Sequence, residues 1–311
     1  METDAGSGLN GADTHFGGVW LMAVAGAVLL VLAIPENAWA WGAGIHVAQG
    51  SFVLENLSLI KPQIAAILSA NPTDYIYGCL SADIFIGKGY RRRDDHCHNW
   101  SVGVKTLDGA SADSTKAYAY GYLTHLAADV MAHNYFIPKL LCTTPAPNGL
   151  GHVYWEFRAD RFVKKKYWTL ASKVVSMRNH GSDALIKKVM NRSGLRFGAK
   201  KMVFKRAVRL SDLMMAMRRV ETAPAPKKKI TRKQIVTLNN YSINLILDFL
   251  RNGQKAIALQ YDPVGTDNMI KARQIRKSGK KNVAGLDLER LFEIPGVIVD
   301  NKIIDNETIR F

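Results

Sequence analysis

Thiols are scarce in this chain. Among 311 residues there are three cysteines, Cys79, Cys97 and Cys142, with no CxxC spacing. That pattern speaks against a disulfide framework. Each cysteine is expected as a small buried hydrophobe; Cys97, between two histidines, is also a candidate metal ligand. Acidic residues are missing from a long stretch: between residues 161 and 240 only Asp183, Asp212 and Glu221 occur, among many Lys and Arg. The chain carries a formal net charge of +16. A surface of that sign serves solubility and also favours anionic partners, either phospholipid head groups or nucleic acid. No convincing run of alternating polar and apolar residues appears, so strands are not expected, and there is no internal repeat.

The first 18 residues lack Lys and Arg. An apolar run, Val19 to Ile34, follows, then Pro35 and the triplet Ala38-Trp39-Ala40. Small residues at both positions of an A-x-A site after an apolar run read as a secretory cleavage site. Residues 1–40 are therefore expected to be a signal peptide, or an N-terminal anchor if uncleaved. The run is somewhat short for a span of about 20 residues. Cleavage after Ala40 would make Trp41 the mature N-terminus and place the protein outside the cytoplasm, secreted or periplasmic.

Hydrophobic residues make up 48% of the chain, enough for a full core. Helical periodicity is read over 44–68, 112–141, 152–168, 182–189, 200–220 and 233–259. Residues 75–86 are apolar with Asp83 near their end; 87–99 is a polar, Arg-rich loop; 143–151 is a Pro/Gly loop. Pro-rich 223–226 followed by three lysines is a linker or exposed loop. The expectation is an all-α, multi-helix fold: a helical domain over 41–260 and a basic, weakly specified tail over 261–311.

Histidine and carboxylate are grouped. The order is His46, then Asp83 with Asp95-His96-Cys97-His98, then His125-xxx-Asp129-xxx-His133, then His152-xxx-Glu156. Imidazole and carboxylate suit zinc where thiols are few. On a helix, residues four apart are offset by about 40°, so His125, Asp129 and His133 share a face, and His152 with Glu156 forms a two-ligand clamp. A single His/acid pair of this spacing is often only a helix contact. Here the flanking residues are apolar, and burying such groups without partners would cost several kcal/mol each. A site for more than one metal ion satisfies them together.

This constellation resembles the zinc-dependent phospholipase C family, an all-helical family grouped with the S1/P1-type nucleases. The resemblance runs from about Trp41 to Arg161. It implies a two- or three-zinc site: His96, Asp83, His125 and Asp129 on one ion; His133, His152 and Glu156 on a second; His46, the shared Asp129 and the amino and carbonyl groups of an N-terminal Trp41 on a third. His98 is the alternative to His96, which its neighbour Asp95 favours. The Trp41–His46 gap is shorter than in the well-known bacterial phospholipases and closer to the nuclease branch. The spacing from Asp129 to His133 is also shorter, and no counterpart of a membrane-binding β-sandwich is evident.

The resemblance implies phosphodiester hydrolysis, with zinc neutralising phosphate oxygens and activating water. Asp83 is the candidate general base. For a phospholipid the products would be diacylglycerol and a phosphorylated head group. Tyr75, Tyr77, Phe85 and Trp100 are candidates to line the substrate pocket, although each fits plain core as well. Two rival readings stand beside phospholipase C. One is an S1/P1-like zinc nuclease or other phosphodiesterase, with nucleic acid as partner. The other is a non-catalytic zinc-binding envelope protein.

Overall fold

In a computed structural model the described residues are 41–85, 96–144, 150–191, 194–216, 230–279, 283 and 285–304. The expected leader over 1–40, the loop segments 86–95 and 145–149 and the Pro-rich segment around 223–226 lie outside them. Among the described residues the secondary structure is helical and no strand forms. The all-α expectation therefore holds.

The helices follow in order. α1 is Ala43–Glu55, α2 Pro62–Ala70, α3 Pro72–Ser81, α4 Trp100–Asp108, α5 Asp113–Met131, α6 Ile137–Thr143 and α7 Leu150–Asp160. Then come α8 Lys165–Ser176, α9 His180–Val189, α10 Gly194–Ala216, α11 Arg232–Asn252 and α12 Thr266–Lys277, with two single turns, α13 Leu288–Leu291 and α14 Gly296–Val299. Pro62 and Pro72 each sit in the first turn of their helix, where a missing N–H costs nothing. That is why the periodic stretch 44–68 is two helices rather than one.

α5 is the axis of the molecule. From Ala117 to Met131 nearly every residue is buried, as expected of a helix surrounded by others. α3 crosses it at backbone contact. A Cβ on Gly78 would lie 2.0 Å from the Tyr118 carbonyl oxygen, and one on Gly121 would lie 2.0 Å from that of Tyr75. Only glycine permits this approach. On another side α11 packs against α5, where Ser242 Oγ donates to the Ala128 carbonyl at 3.3 Å. α11 starts with a capping box, Thr231 with Gln234, and stops at Gly253, whose φ is 57°.

Expected as one helix over 112–141, this region contains a wide turn. Residues Ala132–Phe136 form a π-turn between α5 and α6. Pro138 is accommodated in the first turn of α6. Likewise 152–168 divides: α7 ends at Asp160 and α8 begins at Lys165.

The segment after Gln260, whose structure the periodicity leaves open, packs onto the helices. The Trp100 indole donates to the Tyr261 carbonyl at 2.9 Å, and Lys139 pairs with Glu289 at 2.6 Å. The Asn244 side-chain carbonyl accepts from the Ile303 and Ile304 amides at 3.0 Å.

Candidate metal centre

Five separate pieces of chain bring the ionisable groups together. α1 carries His46; a 3-10 turn, Ala82–Phe85, carries Asp83; the segment leading into α4 carries His98; α5 carries His125 and Asp129; α7 carries His152 and Glu156. The π-turn adds His133. All eight side chains are buried.

They fall into two neighbouring groups. In the larger, Asp129 is the hub. Its carboxylate lies 3.3 Å from His46 Nε2, 3.4 Å from His98 Nε2 and 3.1 Å from His125 Nε2. Asp83 closes the far side, 3.3 Å from His98 Nε2 and 3.7 Å from His125 Nε2. The rings of His46 and His125 stack at 3.9 Å. In the smaller group, His152 Nε2 is 2.8 Å from Glu156 Oε1, and the rings of His133 and His152 meet edge to face at 5.3 Å. The two groups adjoin through His98 and His133, whose rings are 6.2 Å apart.

The π-turn explains the division. Regular helix would stack His133 over Asp129 on the His125 face. The wider turn instead puts His133 with His152 and Glu156, whose ligand atoms converge within 4.8 Å. Such turns recur at functional sites because they re-aim one side chain without ending the helix.

Tautomers are set from outside the cluster. His125 Nδ1 is 2.9 Å from the Cys79 carbonyl, and His133 Nδ1 is 2.6 Å from the Pro263 carbonyl. Each carbonyl only accepts, so each Nδ1 carries the proton and each neutral ring turns a bare Nε2 inward. His133 Nε2 and both oxygens of Asp83 are buried without a hydrogen bond. His125 Nε2 faces His98 Nε2 at 3.1 Å and a carboxylate besides. Acceptors aimed at one another in a dry interior need a cation between them. The donor set, imidazole nitrogen and carboxylate oxygen, is that of zinc. The residues present therefore fit the ion.

The titration behaviour of the side chains alone points the same way. Burial lowers the His46 pKa to about 4, helped by His125, and holds His98 well below its usual value. At His125, burial pulls the pKa down, but the Asp129 and Asp83 carboxylates carry it up to about 9. Burial works to raise Asp129, yet His125 and His46 hold it well below the usual carboxylate range. Asp83 and Glu156 are pushed well above that range by burial, Asp83 with Asp129 and Asp160 adding to the effect, Glu156 with all three other carboxylates doing so. Asp129 and His125 thus favour each other's charged forms, while His46 and His98 stay neutral and Asp83 and Glu156 resist ionisation.

His98, not His96, lies in the cluster. His96, favoured in sequence because Asp95 precedes it, is half-buried, and its Nδ1 accepts from the His98 amide at 3.1 Å. It steadies the turn that delivers His98. Its ligand atom groups with Cys97 and His98 and not with Asp83 or Asp129. Cys97 Sγ sits 3.2 Å from His98 Nδ1, and burial pushes its thiol up to about 12, so it is neutral. Trp41 is fully buried: its indole donates toward the Ala128 carbonyl and Ser242 Oγ, both at 3.2 Å, and its ring stacks on Phe136 at 5.2 Å. Tyr75 and Tyr77 are core residues, bonded to Thr124 and Asp183.

Sequence reasoning passes over two supports. Asp160, one turn beyond Glu156 on α7, is buried and accepts from the Gly44 and Ile45 amides at 3.1 Å each. It caps the start of α1 and so fixes His46. Its approach leaves no room for a Cβ at residue 42, which would meet Asp160 Oδ2 at 2.1 Å. The i, i+4 continuation from Glu156 to Asp160 was the available signal. The second support is the 262–268 segment. Besides the Pro263 carbonyl, Gly265 packs on His133 at a φ of 60°, and a Cβ there would lie 2.3 Å from the His133 carbonyl oxygen. Asn134 donates to the Asp262 carbonyl and Asn268 to that of Asn134. Nothing in local sequence ties residue 263 to residue 133.

Searches of curated proteins and of solved structures each return no match. Residues 45–196 match the family model described as zinc dependent phospholipase C. That stretch contains His46 through Glu156 and the helices that position them, so this chain belongs, over the residues that build the site, to the zinc-dependent phospholipase C family.

Proposed function

We propose that this protein is a phospholipase C that cleaves phospholipids to diacylglycerol and a phosphorylated head group, using two or three zinc ions, outside the cytoplasm. A phosphodiesterase activity of the phospholipase type is the coarse function its family carries. The finer reading rests chiefly on one observation: bare imidazole nitrogens and buried carboxylates converge in two adjoining groups. Two adjoining cation sites suit a phosphodiester better than a single hydrolytic metal does.

In this reading His98, His125, Asp129 and Asp83 hold one ion, and His133, His152 and Glu156 hold a second. His46 and Asp129, with the amino and carbonyl groups of Trp41 after cleavage at Ala40, hold a third. Bound zinc would supply charge neutralisation for the phosphate and acidify a water molecule. Asp83, at the edge of the larger group, accepts the proton of the attacking water. The Cys79 and Pro263 carbonyls keep His125 and His133 in the ligating tautomer throughout.

The test is an assay of the purified, N-terminally sequenced protein on phosphatidylcholine vesicles and on single-stranded DNA, each with and without chelator. Chelator-sensitive release of phosphocholine, with Trp41 as first residue, supports the proposal. Chelator-sensitive DNA cleavage without lipid hydrolysis would instead assign the nuclease reading, and inactivity on both with zinc retained would make the zinc structural.

A further inference from the structure

α10 presents two unlike faces. Phe197, Phe204 and Val208 are buried. The opposite face repeats at helical spacing and is exposed: Met202, Val203, Arg206, Arg209, Leu210 and Leu213, with Met202 and Leu213 about half exposed. Single exposed aliphatics are ordinary on protein surfaces, but four in one stripe are not. The stripe also continues onto α8, since Arg209 donates to Ser176 Oγ at 3.2 Å, next to the exposed Met177.

Charge along α10 is mainly basic, with Lys200, Lys201, Lys205, Arg206 and Arg209 against Asp212. Of the few acids here, Asp183 is occupied by Lys201 at 2.6 Å and by the Tyr77 hydroxyl, and Asp212 by Thr169. Arg206 and Arg209 therefore stand within an apolar stripe; among the described residues of α10 the one carboxylate is Asp212, which is half-buried and accepts from Thr169. Exposed aliphatic side chains with arginines beside them on one face suit contact with an anionic bilayer, the aliphatics against the acyl boundary and the cations at the head groups. A nucleic-acid surface would instead carry aromatics for stacking, and the stripe has none. The helix is joined to the site as well. The Phe197 ring packs on the Phe85 ring at 5.2 Å, and Lys200 Nζ donates to the Phe85 carbonyl at 3.1 Å, two residues beyond Asp83.

We infer that the outward face of α10 docks the protein on the surface of a bilayer containing anionic phospholipid. The inference rests on the proposed lipid substrate for its purpose, and the test separates the two. All three native cysteines are buried, so a Leu210→Cys variant of the full chain takes an environment-sensitive dye at that position. Vesicles of equal parts phosphatidylcholine and phosphatidylglycerol should brighten and blue-shift the dye, with or without chelator, and vesicles of phosphatidylcholine alone should do so much less. Arg206→Glu should weaken the response about tenfold or more in vesicle concentration while leaving hydrolysis of a monomeric short-chain substrate unchanged. A second label at Met202→Cys reads the other end of the stripe. No dye response at either position overturns the docking face even if phospholipid is hydrolysed, as does a response to single-stranded DNA but not to vesicles. A response without phospholipid hydrolysis keeps the docking face and removes the substrate.

Discussion

The side chains at the centre are fixed by what stands behind them. His98 lies between Asp83 and Asp129, and His96 props its turn from outside. His98→Ala should therefore lower the zinc content of the protein and abolish most activity, whereas His96→Ala should keep the zinc and most of the activity; elemental analysis of both variants decides it. Equal loss from both would make His96 a ligand. Asp83→Asn, the removal of the candidate base, should lower kcat by roughly 10²–10⁴ with the fold intact by circular dichroism. At this scale the sequence is informative about residue type and order. His125, Asp129, His133, His152 and Glu156 could be grouped by helical spacing. The choice between His96 and His98 was not legible, because a one-residue turn reverses which ring points inward and no periodicity constrains it.

Elements carry the positioning. Asp160 holds the first turn of α1 through two amides, and an Asn in its place would set its NH2 against one of those N–H groups. Asp160→Asn should destabilise the protein by about 1–3 kcal/mol, read from the denaturant midpoint. Burial pushes the Asp160 carboxyl up to about 7, against two N–H bonds that pull it down. A carboxyl raised in this way contributes stability that is full below its unfolded value, near pH 4, and is lost as pH rises through 7. The stability gap between wild type and Asp160→Asn should therefore be widest in acid and narrow toward neutrality; a gap that widens as pH rises would contradict this account. Gly121→Ala should be more damaging, since its Cβ meets the backbone of α3, with a cost of about 3 kcal/mol or more. The long helices were legible from their apolar spacing. The π-turn was not: its His133 and Asn134 are bonded to Pro263 and Asp262, more than a hundred residues distant, and no periodicity marks such partners.

At the scale of the whole molecule, metal and fold are linked. The candidate ligands come from α1 through α7, the first half of the helical order, and the segment after Gln260 completes the support of His133. Without a cation, burial pushes the Asp83 and Glu156 carboxyls toward their neutral form, so binding an ion is coupled to their ionisation. Binding energy at such a site is folding energy. Chelation should lower the Tm by about 10 °C or more, given roughly 2–4 °C per kcal/mol for a chain of this size, and added zinc should restore it; an unchanged Tm would show that the cluster is satisfied without metal. Among the described residues no helix is long and apolar enough to cross a membrane. The all-α class and the family resemblance were legible in composition and motif order. The packing of residues 261–304 was not, because it rests on bonds between a side chain and the backbone, such as those the Asn244 side chain accepts from the Ile303 and Ile304 amides, which leave no periodic trace.

The most direct measurement is the number of zinc ions per chain, taken by elemental analysis after dialysis of the purified protein against buffered zinc. The account predicts two or three. Fewer than one per chain, in folded protein, would contradict it.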